Sequence, residues 1–242
     1  MKKYLVIGNP ITHSLSPELH NYWLKENDIN GIYNKEELNE NDLKEFFLKI
    51  KNKEINGANI TVPFKKDVIS YVDQLSLEAE KTQSVNTVYL KNDKIIGHNT
   101  DIDGFELAIK DANYDVEGKK VLILGAGGVV PSVIFALYKM KVLSVTVSNR
   151  TKTKAKNLKT SFNDLKIIDW GEASSFEMII NATSIGLKKE DKLNLDFSKF
   201  QGSEFFYDVI YNPKETNFLK DGKSLGKKTE NGKKMFIYQA AK

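Results

Sequence analysis

The chain of 242 residues has no cysteine, five prolines, two tryptophans and, among 36 basic residues, a single arginine, Arg150. Without cysteine there are no disulfides, no thiolate metal sites and no cysteine nucleophile. No apolar run approaches the ~18–20 residues needed to span a bilayer, so no membrane partner is expected. The apolar start, Leu5-Val6-Ile7, ends at Gly8-Asn9-Pro10; it is too brief for a signal sequence and reads as a buried strand. Strong charge of either sign is also lacking, because the net value is only +4. Its excess lies between Lys214 and Lys242, where eight lysines stand against Glu215, Asp221 and Glu230. That stretch lacks interleaved aromatics and any nucleic-acid-binding module, so it reads as a solvated surface and no nucleic-acid partner is expected. The three histidines have no metal-ligand spacing, and no metal is expected. A cytoplasmic location is the default for such a composition, and the length suits one large core or two smaller ones.

What is present is alternation of strand and helix signals. The first stretch offers strands at Lys3–Ile7, Ile32–Asn34 and Ala58–Thr61. Helices are expected at Pro17–Asn27, Glu40–Lys51, Lys65–Tyr71 and Ser76–Gln83, and a hairpin at Val85–Lys91 and Lys94–Gly97. Asp101–Ala112 reads as a connecting helix. A second stretch begins with the continuously apolar Val121–Leu124, as expected for a parallel strand covered on both faces. A helix at Val129–Met140 follows, then strands at Leu143–Ser148, Leu165–Ile168, Met178–Ile180 and Phe205–Val209, and a last helix at Lys233–Ala241. Repeated strand–helix–strand units predict an α/β fold with a parallel, doubly wound sheet.

Gly125-Ala126-Gly127-Gly128 lies between an expected strand and an expected helix. There the first glycine permits a tight turn, and the second removes a side chain where a pyrophosphate meets the helix N-terminus. A valine, Val130, stands where the usual third glycine would be, so a plain tight turn is an equal reading of the motif alone. About 20 residues on, an acidic side chain would bind a ribose 2′-hydroxyl and select NAD. Here the residues are Asn149-Arg150-Thr151, followed by Lys152 and Lys154. A planar fork able to grip phosphate with two bonds, with an amide, a hydroxyl and ammonium groups beside it, suits a 2′-phosphate and predicts NADP.

The first half carries a denser set of polar strings: Thr12-His13-Ser14-Leu15-Ser16-Pro17, Asn59-Ile60-Thr61-Val62-Pro63-Phe64-Lys65, Val85-Asn86-Thr87 and Gly97-His98-Asn99-Thr100-Asp101. Ser16 before Pro17 also suits a helix N-cap, Asp101 suits a cap of the connecting helix, and Lys65 taken alone is one more surface lysine. His13 and His98 line a site or pack at its rim. In order along nearly the whole chain, these strings, the glycine turn, Asn149-Arg150-Thr151, Asn181-Ala182-Thr183-Ser184, Tyr207–Pro213 and Tyr238-Gln239-Ala240-Ala241 resemble the shikimate dehydrogenase family.

The resemblance implies reversible, NADPH-dependent reduction of 3-dehydroshikimate to shikimate in aromatic amino acid biosynthesis. It also implies a substrate-binding and catalytic domain over 1–100, completed by a C-terminal helix over 230–242, and a Rossmann-like NADP-binding domain over 101–229. Ser14 and Ser16 would bind the substrate carboxylate with Thr61 and Tyr211, while Asn59, Asn86, Asp101 and Gln239 would read the ring hydroxyls. Lys65 would stabilise the developing oxyanion and move the proton, with Asp101 holding it in register. Gly125, Ala126, Gly127, Gly128, Asn149, Arg150, Thr151, Lys154 and Thr183 would hold the coenzyme. The expected partners are the small-molecule substrate and, at most, a second copy of the chain, as monomer or homodimer. A quinate-oxidising relative and a non-catalytic NADP sensor are the competing readings.

The chain departs from the family pattern in four places. Pro131 replaces a small or basic residue after the glycine turn. Lys233 and Lys234 stand where an apolar residue and a glycine usually approach the nicotinamide, so a charged pair is expected there. Asn217 replaces a common proline. Members generally continue past the position of Lys242 with a helix expected to pack back on the substrate domain.

Overall fold

The computed structural model describes residues 1–242, and the chain divides into two compact units, Met1–Thr100 and Asp101–Lys242. The first contains β1 (Lys2–Gly8), α1 (Ser16–Glu26), β2 (Gly31–Glu37), α2 (Leu43–Lys51), β3 (Gly57–Ile60), β4 (Gln74–Leu75), α3 (Leu77–Thr82), β5 (Thr87–Lys91) and β6 (Lys94–His98). They form a mixed sheet in the order β2-β1-β3-β5-β6-β4. β1 is parallel to β2 and β3, and β5 is antiparallel to both its neighbours. Alternation along β1 sends Ile7 into a core with Phe46, Phe47 and Ile50 of α2, and Val6 to the opposite face with Ile11 and Tyr33.

Several expected elements shift. The helix read over Glu40–Lys51 begins as a 3-10 turn, Glu40–Asp42, closed by a reciprocal capping box between Asn39 and Asp42. Lys65–Tyr71 is helical only as a 3-10 segment from Asp67. β2 runs on through the polar Lys35-Glu36-Glu37 because its backbone pairs with β1 along its whole length. Strand pairing at an edge needs no apolar side chains.

The second unit contains α4 (Asp101–Asp111), β7 (Lys120–Leu124), α5 (Val130–Lys139), β8 (Ser144–Ser148), α6 (Lys152–Leu158), β9 (Lys166–Ile168), β10 (Met178–Asn181), β11 (Phe205–Asp208), α7 (Asn217–Ser224), β12 (Lys228–Glu230) and α8 (Lys233–Ala241). Its sheet is wholly parallel, in the order β12-β11-β10-β7-β8-β9. The apolar run of β7 is covered on both sides. Val121 and Ile123 pack with Phe105 and Ile109 of α4 and Val133 and Leu137 of α5, while Leu122 and Leu124 pack with Phe206, Phe218 and Leu219. The doubly wound, Rossmann-like unit read from the sequence is what forms. α7 and β12 add to it; their lysine-rich sequences hide a short amphipathic helix and an edge strand.

α8 packs against α4 within this second unit, its Met235 joining the Phe105 core. Their approach depends on Gly104, where a Cβ would lie 2.6 Å from Gln239 Cβ and 2.9 Å from the Met235 carbonyl oxygen.

Candidate active site

In the first unit, parallel β1 and β3 end side by side. The Thr61 N–H donates to the Ile7 carbonyl at 2.9 Å. The Asn86 carbonyl accepts from Ile60 N–H at 2.7 Å, and the Asn86 N–H donates to the His98 carbonyl at 3.0 Å. Segments 9–16, 59–65, 85–87 and 98–100 therefore emerge at one sheet end, carrying Ser14, Ser16, Asn59, Thr61, Lys65 and Asn86. The half-buried Lys65 is anchored through its carbonyl, which accepts from Val85 N–H at 2.8 Å, while Lys66 is exposed.

The amides are held by backbone groups and threonine hydroxyls. Asn86 donates from Nδ2 to Thr100 Oγ1 at 2.9 Å, and its Oδ1 accepts from Thr100 N–H at 2.9 Å and Thr87 Oγ1 at 3.0 Å. Asn99, fully buried, donates to Thr82 Oγ1 and the Ser84 carbonyl. Asn59 donates to Thr87 Oγ1 at 3.1 Å. Ser16 does not serve as the helix cap. It is the first residue of α1, its N–H donates to Ser14 Oγ at 3.3 Å, and its own side chain makes no capping bond. Both hydroxyls are thus placed by the turn into α1.

The other expected substrate and catalytic residues, Asp101, Tyr211 and Gln239, belong to the second unit. Asp101 is buried and opens α4. Gln239 lies on α8 beside Gly104, with Nε2 donating to the Phe236 carbonyl at 3.0 Å. The Tyr211 ring stacks on Phe236 with centroids 4.6 Å apart, and burial pushes its phenol above the usual range. The Lys234 ammonium is engaged by Asp111 at 2.7 Å and Glu230 at 3.7 Å, so its charge is turned to the end of α4.

Glycine turn, arginine turn and Thr183 follow β7, β8 and β10, three adjacent strands, at their C-terminal ends. Chain direction across the sheet reverses between β7 and β10, the place where open α/β sheets bind nucleotides. Gly125 has φ +114°, and a Cβ there would lie 2.7 Å from the Ala182 carbonyl oxygen and 3.1 Å from Thr183 Cγ2. Only glycine fits. Gly127 differs, since a Cβ would meet no protein atom nearer than the Ala182 oxygen at 3.9 Å. Packing does not demand glycine there, whereas close approach of a ligand to the backbone would. Pro131 is accommodated in the first turn of α5, where a missing N–H leaves no helical bond unmade.

Asn149 Nδ2 donates to the Thr151 carbonyl at 2.8 Å and shapes the turn that displays Arg150. Arg150, Thr151 and Lys154 are exposed, and no carboxylate pairs with Arg150 or Lys154. Lys152 is paired with Asp169 at 2.5 Å, so Arg150 and Lys154 are the cations left to meet a phosphate. The donor set fits the adenosine end of NADP.

Thr183 is set by a buried network. Its hydroxyl donates to Asn181 Oδ1 at 2.7 Å, and Asn181 Nδ2 donates to both carboxylate oxygens of Asp208 at 3.1 and 3.2 Å. Asp208 also accepts from Ile210 N–H at 3.0 Å and Thr216 Oγ1 at 2.5 Å. It thereby ties together the segments after β10 and β11 and the start of α7. Burial raises its carboxyl to about 6 despite these bonds.

A group whose folded pKa exceeds its unfolded value holds its proton longer in the native state, so stability is lost as pH rises through that interval. Between pH about 4 and about 6 this one group should cost on the order of 3 kcal/mol. Asp208→Asn imitates the protonated form and should flatten that part of the profile, as chemical denaturation of both proteins at several pH values would show. An unchanged slope would assign the titration elsewhere.

Tyr33 and Asn21, which hold Asn59 and one another, are residues that motif reading passed over. Tyr33 carries no local signal beyond that of a strand residue, and Asn21 reads as one more polar position on α1, whereas Asp208 lies inside the Tyr207–Pro213 string, which by itself assigns it no partner.

Residues 6–88 match the family model for the shikimate dehydrogenase substrate binding domain, and residues 106–187 match that for shikimate / quinate 5-dehydrogenase. The chain is 56% identical over 241 residues to the shikimate dehydrogenase (NADP(+)) of Pelagibacter ubique, covering 100% of this chain and 91% of that protein. Among solved structures it resembles shikimate dehydrogenase from Aquifex aeolicus (TM-score 0.90, 36% identity, 99% of this chain and 90% of that one). It also resembles shikimate 5-dehydrogenase from Thermus thermophilus in complex with NADP(H) and shikimate (TM-score 0.91, 31% identity, 100% of this chain and 91% of that one).

Proposed function

The chain belongs to the shikimate dehydrogenase family, and from that premise we propose that it reversibly reduces 3-dehydroshikimate to shikimate with NADPH, in the biosynthesis of aromatic amino acids. The observation that carries this reading is the polar end of the first sheet, where two serines, a threonine and two asparagines accompany one half-buried lysine. Hydroxyl and amide groups both donate and accept, as a polyhydroxylated ring requires, and an analogue lacking a hydroxyl would strand them. Ser14, Ser16 and Thr61 bind the carboxylate on this reading, with Tyr211. Asn59, Asn86 and Gln239 read the ring hydroxyls.

Bound NADPH supplies the hydride. Reduction places negative charge on the ketone oxygen, and the Lys65 ammonium stabilises it and delivers the proton from Nζ. In the reverse direction the neutral amine takes the hydroxyl proton. Asp101 orients the hydroxyl and the amine. Gly125, Ala126, Gly127 and Gly128, with Thr183, would hold the pyrophosphate at the start of α5, and Asn149, Arg150, Thr151 and Lys154 would hold the 2′-phosphate. On this reading 1–100, with the terminal helix, forms the substrate domain, and the chain works in the cytoplasm as monomer or homodimer.

The test is to follow NADPH formation by the purified protein with shikimate and NADP, against quinate and NAD in every combination. Turnover with shikimate and NADP is expected to dominate. No shikimate-dependent reduction despite NADP binding would leave a coenzyme-binding sensor instead. Arg150→Asp is expected to raise KM for NADP roughly 10–100-fold, the scale of a lost charge-assisted pair, and leave KM for NAD no worse. An unaltered KM for NADP would remove Arg150 from the 2′-phosphate site.

A further inference from the structure

Tyr33, on the edge strand β2, is held in every part. Asn21 of α1 brackets its backbone, with Nδ2 donating to the Tyr33 carbonyl at 2.7 Å and Oδ1 accepting its N–H at 2.9 Å. The ring stacks face to face on His20, centroids 4.2 Å apart and planes 6° from parallel. Only 3% of the residue is exposed. The one group left to act is the phenol, and it points along the row of polar residues at the sheet end. Its hydroxyl donates to Asn59 Oδ1 at 2.6 Å.

A phenol this deeply buried stays protonated, because burial pushes its ionisation far above the usual range. It therefore has one hydrogen to give and a lone pair to receive. Giving that hydrogen to Asn59 fixes which end of the amide faces which way. Oδ1 turns to the phenol, and the two Nδ2 hydrogens turn to Thr87 Oγ1 at 3.1 Å and the Asn86 carbonyl at 3.4 Å. A flipped amide would set its carbonyl against another carbonyl. The phenol thus sets the orientation of a residue proposed to read a ring hydroxyl.

We propose that Tyr33 is a positioning residue for substrate recognition, its hydroxyl orienting the Asn59 amide while His20 and Asn21 hold the ring and backbone in place. This rests on the shikimate reading of the same site. Tyr33 has no part in the coenzyme site, so its effect should fall on one substrate alone.

Tyr33→Phe keeps the ring and removes only the hydroxyl. With wild type active, the variant should raise KM for shikimate about tenfold, the scale of a buried hydrogen bond, and leave KM for NADP within twofold. Because the effect passes through Asn59, the same change in an Asn59→Ala background should add less than threefold. Should Tyr33→Phe fail to fold, Asn21→Ala, which loosens only the backbone bracket, should raise the shikimate KM without moving that for NADP. An unchanged shikimate KM, equal rises for both substrates, or full additivity with Asn59→Ala would overturn the role of Tyr33. Wild-type protein without shikimate-dependent turnover would instead remove the functional reading beneath it.

Discussion

Lys65→Ala is expected to lower kcat by roughly 10²–10⁴-fold, the range that one general acid–base group contributes, with a much smaller change in KM for shikimate. The fold should survive. Lys65 is anchored by its backbone, through the bond from Val85 N–H, and that bond does not need the side chain. Lys66 cannot take over, since the adjacent side chain on this irregular segment is exposed, and Lys66→Ala should be silent. Lys65→Arg is the sharper control. A guanidinium keeps the positive charge but does not give up its proton near neutral pH, so it should restore oxyanion stabilisation in part and leave proton transfer impaired. Steady-state rates in both directions decide the matter, and a kcat within a few-fold of wild type in Lys65→Ala would take Lys65 out of the chemistry.

Gly127→Val should raise KM for NADP by roughly 100-fold or more, about 2.7 kcal/mol, while leaving thermal stability nearly unchanged. The added Cβ would meet only the Ala182 carbonyl oxygen, at an unstrained 3.9 Å, and surface changes of that kind usually alter stability by under ~0.5 kcal/mol. It would, however, project from the turn that leads into α5, where, on the proposed reading, the pyrophosphate would meet the backbone. Gly125→Val makes the contrast. There the positive φ and the Ala182 oxygen 2.7 Å away act on the fold itself, so that variant should lose stability along with coenzyme binding. Calorimetry on both variants beside NADP titrations separates the two cases. A Gly127→Val protein that binds NADP normally would show that the turn is only a turn.

Most of the architecture was legible because it rests on local patterns. The four apolar residues of β7, the glycines after it and the amphipathic period of α2 and α5 each report on neighbours a few positions away. Polar strings at the strand ends of the first unit were legible for the same reason, and those in 9–16, 59–65, 85–87 and 98–100 do gather at one sheet end. Short or polar elements were not. β4 has two residues, β12 is a lysine-bearing edge, and α7 holds its face in a mostly polar segment, so composition outweighed period in each.

Sequence by itself determined the two alternating stretches, the parallel doubly wound sheet, the glycine and arginine turns and the family, because hydrophobic period and short motifs act between residues close in the chain. Tertiary structure alone decided that Tyr33 meets Asn59, that Asp208 binds Asn181 and Thr216, that Gly104 admits Gln239, and that Lys234 turns to Asp111. Each of those contacts joins segments that only strand order and helix packing bring together. A buried polar group must find its partner wherever the fold places one.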